Sequence, residues 1–145
     1  MALLKNDFSF CRELKKAANT SDPIERLKHI VTFYVSAHFI NPTLIGARVP
    51  LNPILGETYQ REMPTGERFY CEKISHRPQV LAFLLEDPDG DYIYSGQYTL
   101  KAWVNGPNSL AGSKIGNMVI KFKDGARVKM MDPTLIINGM ITGNK

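Results

Sequence analysis

The chain has 145 residues, the length of one ordinary domain, which argues against two full domains or a long repeat array. With 43% hydrophobic and 22% charged residues, 9 Pro and 11 Gly, its composition excludes disordered and collagen-like chains, and 2 Cys are too few for a disulfide scaffold. The net charge of +4 is unevenly placed: residues 1–112 hold twelve basic and twelve acidic side chains, whereas 113–145 hold six and two, an excess that suits an anionic partner or a solvated strand face.

In chain order, Met1-Ala-Leu-Leu-Lys5 is too short for a signal-peptide core, and a cytoplasmic protein is expected. The pattern predicts a short amphipathic helix over 8–18, with Phe10, Cys11, Leu14 and Ala18 facing inward. A second helix starts at Asp22-Pro23-Ile24-Glu25, where Asp22 caps, Pro23 takes the first helical position and Glu25 can reach back to the cap. Its expected inner face is Ile24, Leu27, Val31, Tyr34, Val35 and His38, and Asn41-Pro42 should end it. The uncharged stretch His29–Ala47 contains two His, Ser36 and Asn41-Pro42, so it does not read as a spanning helix.

Beyond Gly56 the apolar period falls to two and turn signals recur at Pro64-Thr65-Gly66, Asp87-Pro88-Asp89-Gly90, Gly106-Pro107-Asn108, Asp124-Gly125 and Asp132-Pro133. That pattern predicts an antiparallel meander of about seven strands, and with the helices an α+β chain. The run Val80–Leu85 is apolar on both faces, so it can separate a helical layer from an internal cavity. A three-residue loop Lys123-Asp124-Gly125 would pair Phe122 with Ala126, Ile120 with Val128 and Met118 with Met130 on one face. The other face then carries Lys121 opposite Arg127 and Val119 opposite Lys129, a cationic surface that is either solvated or apposed to something anionic.

Several constellations can be set aside. Asp87, Asp89 and Asp91 resemble the start of a calcium loop, but the glycine is misplaced and Tyr98 stands where the closing glutamate belongs. Ser75 and His76 are adjacent on a strand and point to opposite faces. No phosphate-binding glycine loop, hydrolase elbow or metal-ligand spacing occurs, and Cys11 and Cys71 make no C-x-x-C. No enzyme activity, metal or cofactor is expected, and Cys11 and Cys71 read as free thiols.

Two stretches remain. In Arg48-Val-Pro-Leu-Asn-Pro-Ile-Leu-Gly-Glu-Thr58, Pro50 and Pro53 fix Leu51 and Asn52 in an irregular segment that is either a polar-ligand site or a rigid connector. In Glu72-Lys-Ile-Ser-His-Arg-Pro-Gln79, His76 and Arg77 at a strand end can grip a phosphate, or serve as a structural histidine and a surface arginine.

Together these stretches closely resemble the two signatures of the oxysterol-binding protein family, K-P-x-N-P-x-L-G-E-T and E-Q-V-S-H-H-P-P. The resemblance extends to Asp22–Arg26 and to the strands up to Gly143, covering residues 1–145 as a single domain and about the first half of a family ligand domain. It divides the chain into a helical segment over 1–47 and a signature loop and meander over 48–145. It implies part of an incomplete antiparallel barrel with outer helices, a lipid in a central tunnel, and non-enzymatic exchange of sterol or anionic phospholipid such as phosphatidylinositol 4-phosphate. By position, Leu51 and Asn52 would lie at the head group and His76 at the 4-phosphate. The signature lysine is replaced by Val49, the second histidine by Arg77 and the last proline by Gln79; Arg48 and Arg77 are the cations left to compensate.

The implied partners are a sterol or phospholipid ligand and transient contact with anionic membranes through Lys121, Arg127 and Lys129, with no nucleic acid; an open sheet edge would allow an edge-strand dimer. A scaffold that has lost lipid exchange is the alternative.

Overall fold

The structure, a computed structural model, describes residues 10–43 and 53–139, the side chains of 38–43 excepted. Two helices come first, α1 (Cys11–Ala18) and α2 (Pro23–Thr43), then β1 (Thr58–Glu62), β2 (Arg68–His76), β3 (Gln79–Glu86), β4 (Tyr92–Val104), β5 (Ser109–Phe122), β6 (Arg127–Met130) and β7 (Leu135–Asn138). The strands form one sheet of seven in the order β1-β2-β3-β4-β5-β6, every described pairing antiparallel. The expected α+β order and meander are therefore present, and each of the five turn signals falls between consecutive strands. β7 departs from the meander. β5 has 14 residues and β6 only 4, so β6 leaves part of β5's edge open, and after Asp132-Pro133 the chain pairs there, Ser109 with Asn138 through Gly112 with Leu135.

The β5–β6 hairpin has the expected register. Met118 faces Met130, Val119 faces Lys129, Ile120 faces Val128 and Lys121 faces Arg127. Gly125 has φ 89°, a left-handed position that costs glycine little, and Phe122 N–H donates to Ala126 O at 2.9 Å. Met118, Ile120, Phe122 and Met130 are buried, while Lys121, Arg127 and Lys129 are exposed.

The two faces of the sheet are of different kinds. On one, Phe69, Cys71, Leu81, Phe83, Leu85, Tyr92, Tyr94 and Tyr98 join Cys11, Leu14, Ala17, Ile30 and Phe33 of the helices in a single core. Phe33 meets Tyr94 edge to face at 5.9 Å, and Phe83 meets it at 5.0 Å. On the other, Val80, Ala82 and Leu84 of β3 are half-buried between Gln60 and Glu72 on one side and Ser95, Gln97 and Thr99 on the other. β3 thus separates a helical layer from a surface that the helices do not cover.

α2 begins where expected, Asp22 Oδ1 accepting the Ile24 N–H at 3.0 Å. Glu25 turns to Lys28 instead of back to the cap. The helix runs to Thr43, one residue past Pro42, a difference within the fraying of helix ends. Its packed face is not the expected one. Ile30, Phe33 and Ala37 are buried and Tyr34 is half-buried, whereas Ile24, Leu27, Val31 and Val35 are each at least 50% exposed; the His38 side chain lies outside the described residues. Both stripes have helical spacing, and one residue of rotation, about 100°, separates them. The choice follows from Phe33, whose ring fits Tyr94, and from polar side chains that hold the helix at that rotation. No helix among the described residues is long and apolar enough to cross a membrane.

Those polar contacts act as staples between layers. Lys15 Nζ stands among three carboxylates of the β3–β4 turn, Asp87 at 2.9 Å, Asp89 at 2.7 Å and Asp91 at 2.8 Å. Arg26 pairs with Asp124 at 2.6 Å, lies 5.1 Å over the Phe122 ring, and donates to the carbonyls of Ala17 and Thr20 that end α1. His29 Nδ1 lies 3.0 Å from Glu13, and Tyr34 Oη lies 2.8 Å from Asp132 Oδ1.

Three of these carboxyls are held below their ordinary range: Glu13 chiefly by the Lys16 hydrogen bond, Asp91 by Lys15, and Asp124 by the Ala126 N–H and then Arg26. A depressed carboxyl adds stability above its unfolded pKa and loses it as pH falls through the folded one. Ordinary values are 4.5 for Glu and 3.8 for Asp, so the urea midpoint should be level above about pH 5 and fall steeply below pH 4. Asp124→Asn should lower the midpoint at neutral pH and flatten part of that fall; an unchanged acid limb would show that the staples do not carry it.

Candidate functional site

The two irregular stretches singled out in the sequence meet at Lys73. Gly56 N–H donates to Lys73 O at 2.9 Å and Lys73 N–H donates to Glu57 O at 3.1 Å, which extends the β1–β2 ladder by one step beyond Thr58. The Lys73 ammonium then donates to Pro53 O at 2.8 Å. Between these anchors the chain makes a tight turn: Glu57 N–H donates to Ile54 O at 3.1 Å, Ile54 N–H donates to the Glu57 carboxylate at 2.9 Å, and Gly56 has φ 77°. The proline-glycine segment is thus fastened along β2, three residues before His76. Pro53 is buried and Ile54, Leu55, Gly56 and Glu57 are exposed.

β2 carries an irregularity at this place. Lys73 pairs with Leu81 and Ser75 with Val80, so Ile74 is an extra residue, and His76 pairs with Gln79. Such a bulge re-aims the side chains that follow it. In an unbroken strand Lys73 and His76 would fall on opposite faces; here both project from the face shared by Leu81 and Gln79. His76 is exposed at the strand end, and Arg77 is exposed in the two-residue turn whose Arg77–Pro78 peptide is cis. Arg48, Leu51 and Asn52 lie outside the described residues.

The face away from the helices holds a pocket of about 340 Å³ along β1, β2 and β3. Thr58, Gln60, Tyr70, Glu72, Ala82 and Leu84 line it and share that face by register. Its volume is at the lower end of the range for small-molecule sites. Cys71, also in the lining, has its thiol pushed up to about 11 by burial, so it is a packing group and not a nucleophile. Lys121, Arg127 and Lys129 lie on the β5–β6 hairpin, separated in the strand order from the β2–β3 turn by β4.

Lys73 is the anchor of the proline-glycine segment that sequence reasoning passed over. The signal was there: Phe69, Cys71 and Lys73 alternate on an inward stripe, and a lysine in such a position asks for an explanation. What the sequence does not display is the bulge that puts Lys73 and His76 on one face.

A family model described as Oxysterol-binding protein matches residues 1–145. Oxysterol-binding protein 9 of Dictyostelium discoideum is 36% identical over 132 residues, which are 91% of this chain and 30% of that protein. Oxysterol-binding protein homolog 3 of Saccharomyces cerevisiae is 30% identical over 148 residues, all of this chain and 14% of that protein. Among solved structures, the Osh3 ORD in complex with PI(4)P from Saccharomyces cerevisiae superposes with a TM-score of 0.84 at 30% identity, covering 96% of this chain and 37% of that one. The Osh1 ORD domain in complex with cholesterol gives 0.85 at 25% identity, covering 99% and 35%. The chain therefore spans about a third or less of the length of these proteins.

The left-handed turn at Gly56 is open, since a Cβ there would meet nothing within 4 Å. Gly56→Ala should cost only the conformational term, about 1–2 kcal/mol in urea unfolding. A loss well above that would show that the turn holds more than its own backbone.

Proposed function

Because the chain belongs to the oxysterol-binding protein family, we propose that it is a lipid-binding element without catalytic activity, which takes up a sterol or an anionic phospholipid such as phosphatidylinositol 4-phosphate and passes it between membranes. The observation that carries this reading is the fastening of Pro53–Glu57 to Lys73 beside the His76–Arg77 turn, at one end of a sheet whose second face is uncovered by the helices and carries the apolar strip Val80, Ala82 and Leu84. A polar rim next to an apolar strip is what an amphipathic guest needs. The ligands named for the similar Osh3 and Osh1 domains, PI(4)P and cholesterol, are of that kind.

The residue roles follow from the chemistry. His76 and Arg77 contact the phosphate, the guanidinium with forked donors and the imidazole with one N–H or, when protonated, with charge as well. Leu51 and Asn52 complete the head-group contact from the adjoining segment, and Arg48 restores part of the charge lost with Val49 in place of the signature lysine. Arg77 in place of a second histidine keeps a cation but reaches farther, so the phosphate sits farther from the strand end.

Docking to the donor membrane falls to Lys121, Arg127 and Lys129, exposed on one face of the β5–β6 hairpin. Like charges placed opposite each other are unfavourable in isolation, and an anionic surface relieves that repulsion. The protein on this reading is cytoplasmic and peripheral at membranes.

His76→Ala combined with Arg77→Ala should abolish extraction of phosphatidylinositol 4-phosphate from liposomes while cholesterol extraction persists; equal extraction of the phosphorylated lipid by variant and parent would remove these residues from the head-group site. Reversing Lys121, Arg127 and Lys129 to Glu should eliminate the salt-sensitive part of binding to phosphatidylserine vesicles. Vesicle binding that is indifferent to both salt and the triple reversal would move the docking surface elsewhere.

A further inference from the structure

Strand register divides the face of the sheet away from the helices into two halves of unlike charge. Along β1, β2 and β3 it carries Glu62, Glu72 and Glu86, with Arg68 opposite Glu86. Along β4, β5, β6 and β7 it carries Lys101, Lys121, Arg127 and Lys129, all exposed, and no Asp or Glu. The strands themselves are the reason, since residues 92–123 contain four Lys and no acidic residue. Of these, Lys114 turns to the helical face, where Asp132 lies 3.7 Å away.

The cationic half also exposes large apolar side chains. Trp103 is 42% exposed, Ile115 50%, Ile136 56% and Ile93 40%. Trp103, Ala111 and Ile136 lie side by side on three neighbouring strands, Lys101 stands two residues before Trp103 on the same face, and Ile93 pairs with Lys121. Alternation explains why they point the same way. Ile93, Lys101, Trp103, Ile115 and Lys121 occupy odd-numbered positions of a β4–β5 ladder without a register shift, while Tyr92, Tyr94 and Tyr98 take even-numbered positions against the helices.

Water suits the cations but not the Trp and Ile side chains, and a second copy laid on the same face would set cation against cation. An anionic bilayer answers both: its head groups meet the lysines and the arginine, and its boundary with the acyl chains takes Trp and aliphatic side chains. We propose that the β4–β7 half of this face is a docking surface for anionic bilayers, with Trp103, Ile115 and Ile136 as its apolar anchor and Lys101 as a fourth cation beside Lys121, Arg127 and Lys129. The assignment rests on the membrane docking proposed above and adds to it the anchor and the orientation. A sheet laid face-on keeps its inter-strand hydrogen bonds and puts only side chains into the boundary. Repulsion of Glu62, Glu72 and Glu86 leaves the β1–β3 half, with its pocket, beside the contact and not under it.

Trp103 is the only tryptophan of the chain, so the full chain reports its own docking. With vesicles of phosphatidylcholine and phosphatidylserine, its emission should shift to the blue. Phosphatidylcholine brominated near the head of the acyl chain should quench it more than phosphatidylcholine brominated near the methyl end. The shifted protein should sediment with the vesicles and be released by high salt. Lys101→Glu should weaken binding at low salt by about fivefold or more, and Trp103→Ser combined with Ile136→Ser by about tenfold, both with urea midpoints near the parent's because these side chains are exposed. Vesicle binding by the parent without shift or quenching, or a double variant that binds as the parent does, removes the anchor and overturns the assignment. So does a blue shift that stays with protein in the supernatant, which reports lipid uptake instead of docking. Lipid extraction scored in the same samples separates the two readings. Extraction with Trp103 unperturbed overturns the surface and leaves the carrier; docking that meets these tests without extraction of any lipid keeps the surface and overturns the carrier. A parent that binds no vesicle overturns the docking surface outright.

Discussion

β3 is apolar on both sides, and the rest of the structure answers that constraint. A strand of this kind cannot sit on a solvated outer surface, and the chain covers one side with α1 and α2 through Leu14, Ile30 and Phe33. The helices are aligned on the sheet by ion pairs and hydrogen bonds from Lys15, Arg26 and Tyr34, each to a carboxylate in a different inter-strand connection: the β3–β4 turn, the β5–β6 turn and the β6–β7 link. Their placement fixes which face of α2 is inward, because Arg26, His29 and Phe33 can reach their partners at only one rotation of the helix. The opposite side of β3 stays half-buried and lines a pocket.

Much of this was legible in the sequence, and the reasons differ by element. The β5–β6 hairpin could be read to the residue because Asp124-Gly125 fixes the loop and the alternating apolar set then allows one register only. The meander was legible from five turn signals. The inner face of α2 was not, because Ile24-Leu27-Val31-Val35 and Ile30-Phe33-Ala37 are both apolar at helical spacing, and a helix apolar around much of its circumference gives no moment to read. Nothing in the helix itself separates the two stripes; the decision is made by Tyr94, Asp124 and Glu13, which are remote in sequence or on another helix. β7 escaped for a related reason, since its pairing depends on the unequal lengths of β5 and β6.

The candidate site shows the same division. Both irregular stretches stood out by composition, and their meeting in space is the outcome of backbone bonds at Lys73. Which side chains share a face was hidden. Strand alternation assigns Lys73 and His76 to opposite faces, and one inserted residue, Ile74, reverses that assignment. Nothing in the string Glu72-Lys-Ile-Ser-His76 announces a bulge, whose cause lies in the pairing with β3.

On the proposed lipid-binding reading, selectivity lies at the rim. A guest that buries about 400 Å² of apolar surface gains roughly 10 kcal/mol at ~25 cal/mol/Å², but leaving a bilayer forfeits a comparable amount. The tails therefore contribute little to choosing between a lipid in the protein and the same lipid in the membrane. What differs is the head group, which exchanges water for fixed donors in a partly desolvated place where charge-assisted bonds are stronger. Donors held by the backbone would lose little freedom when a guest arrives, and the ladder bonds of Gly56 and Glu57 and the short β2–β3 turn act in that sense. A rigid rim beside the apolar strip of β3 would let one protein accept guests with different tails while discriminating among their polar ends. On the proposed lipid-binding reading, changes to His76 or Arg77 would alter which lipid is preferred, and changes to Val80, Ala82 or Leu84 would alter how much of any lipid is held.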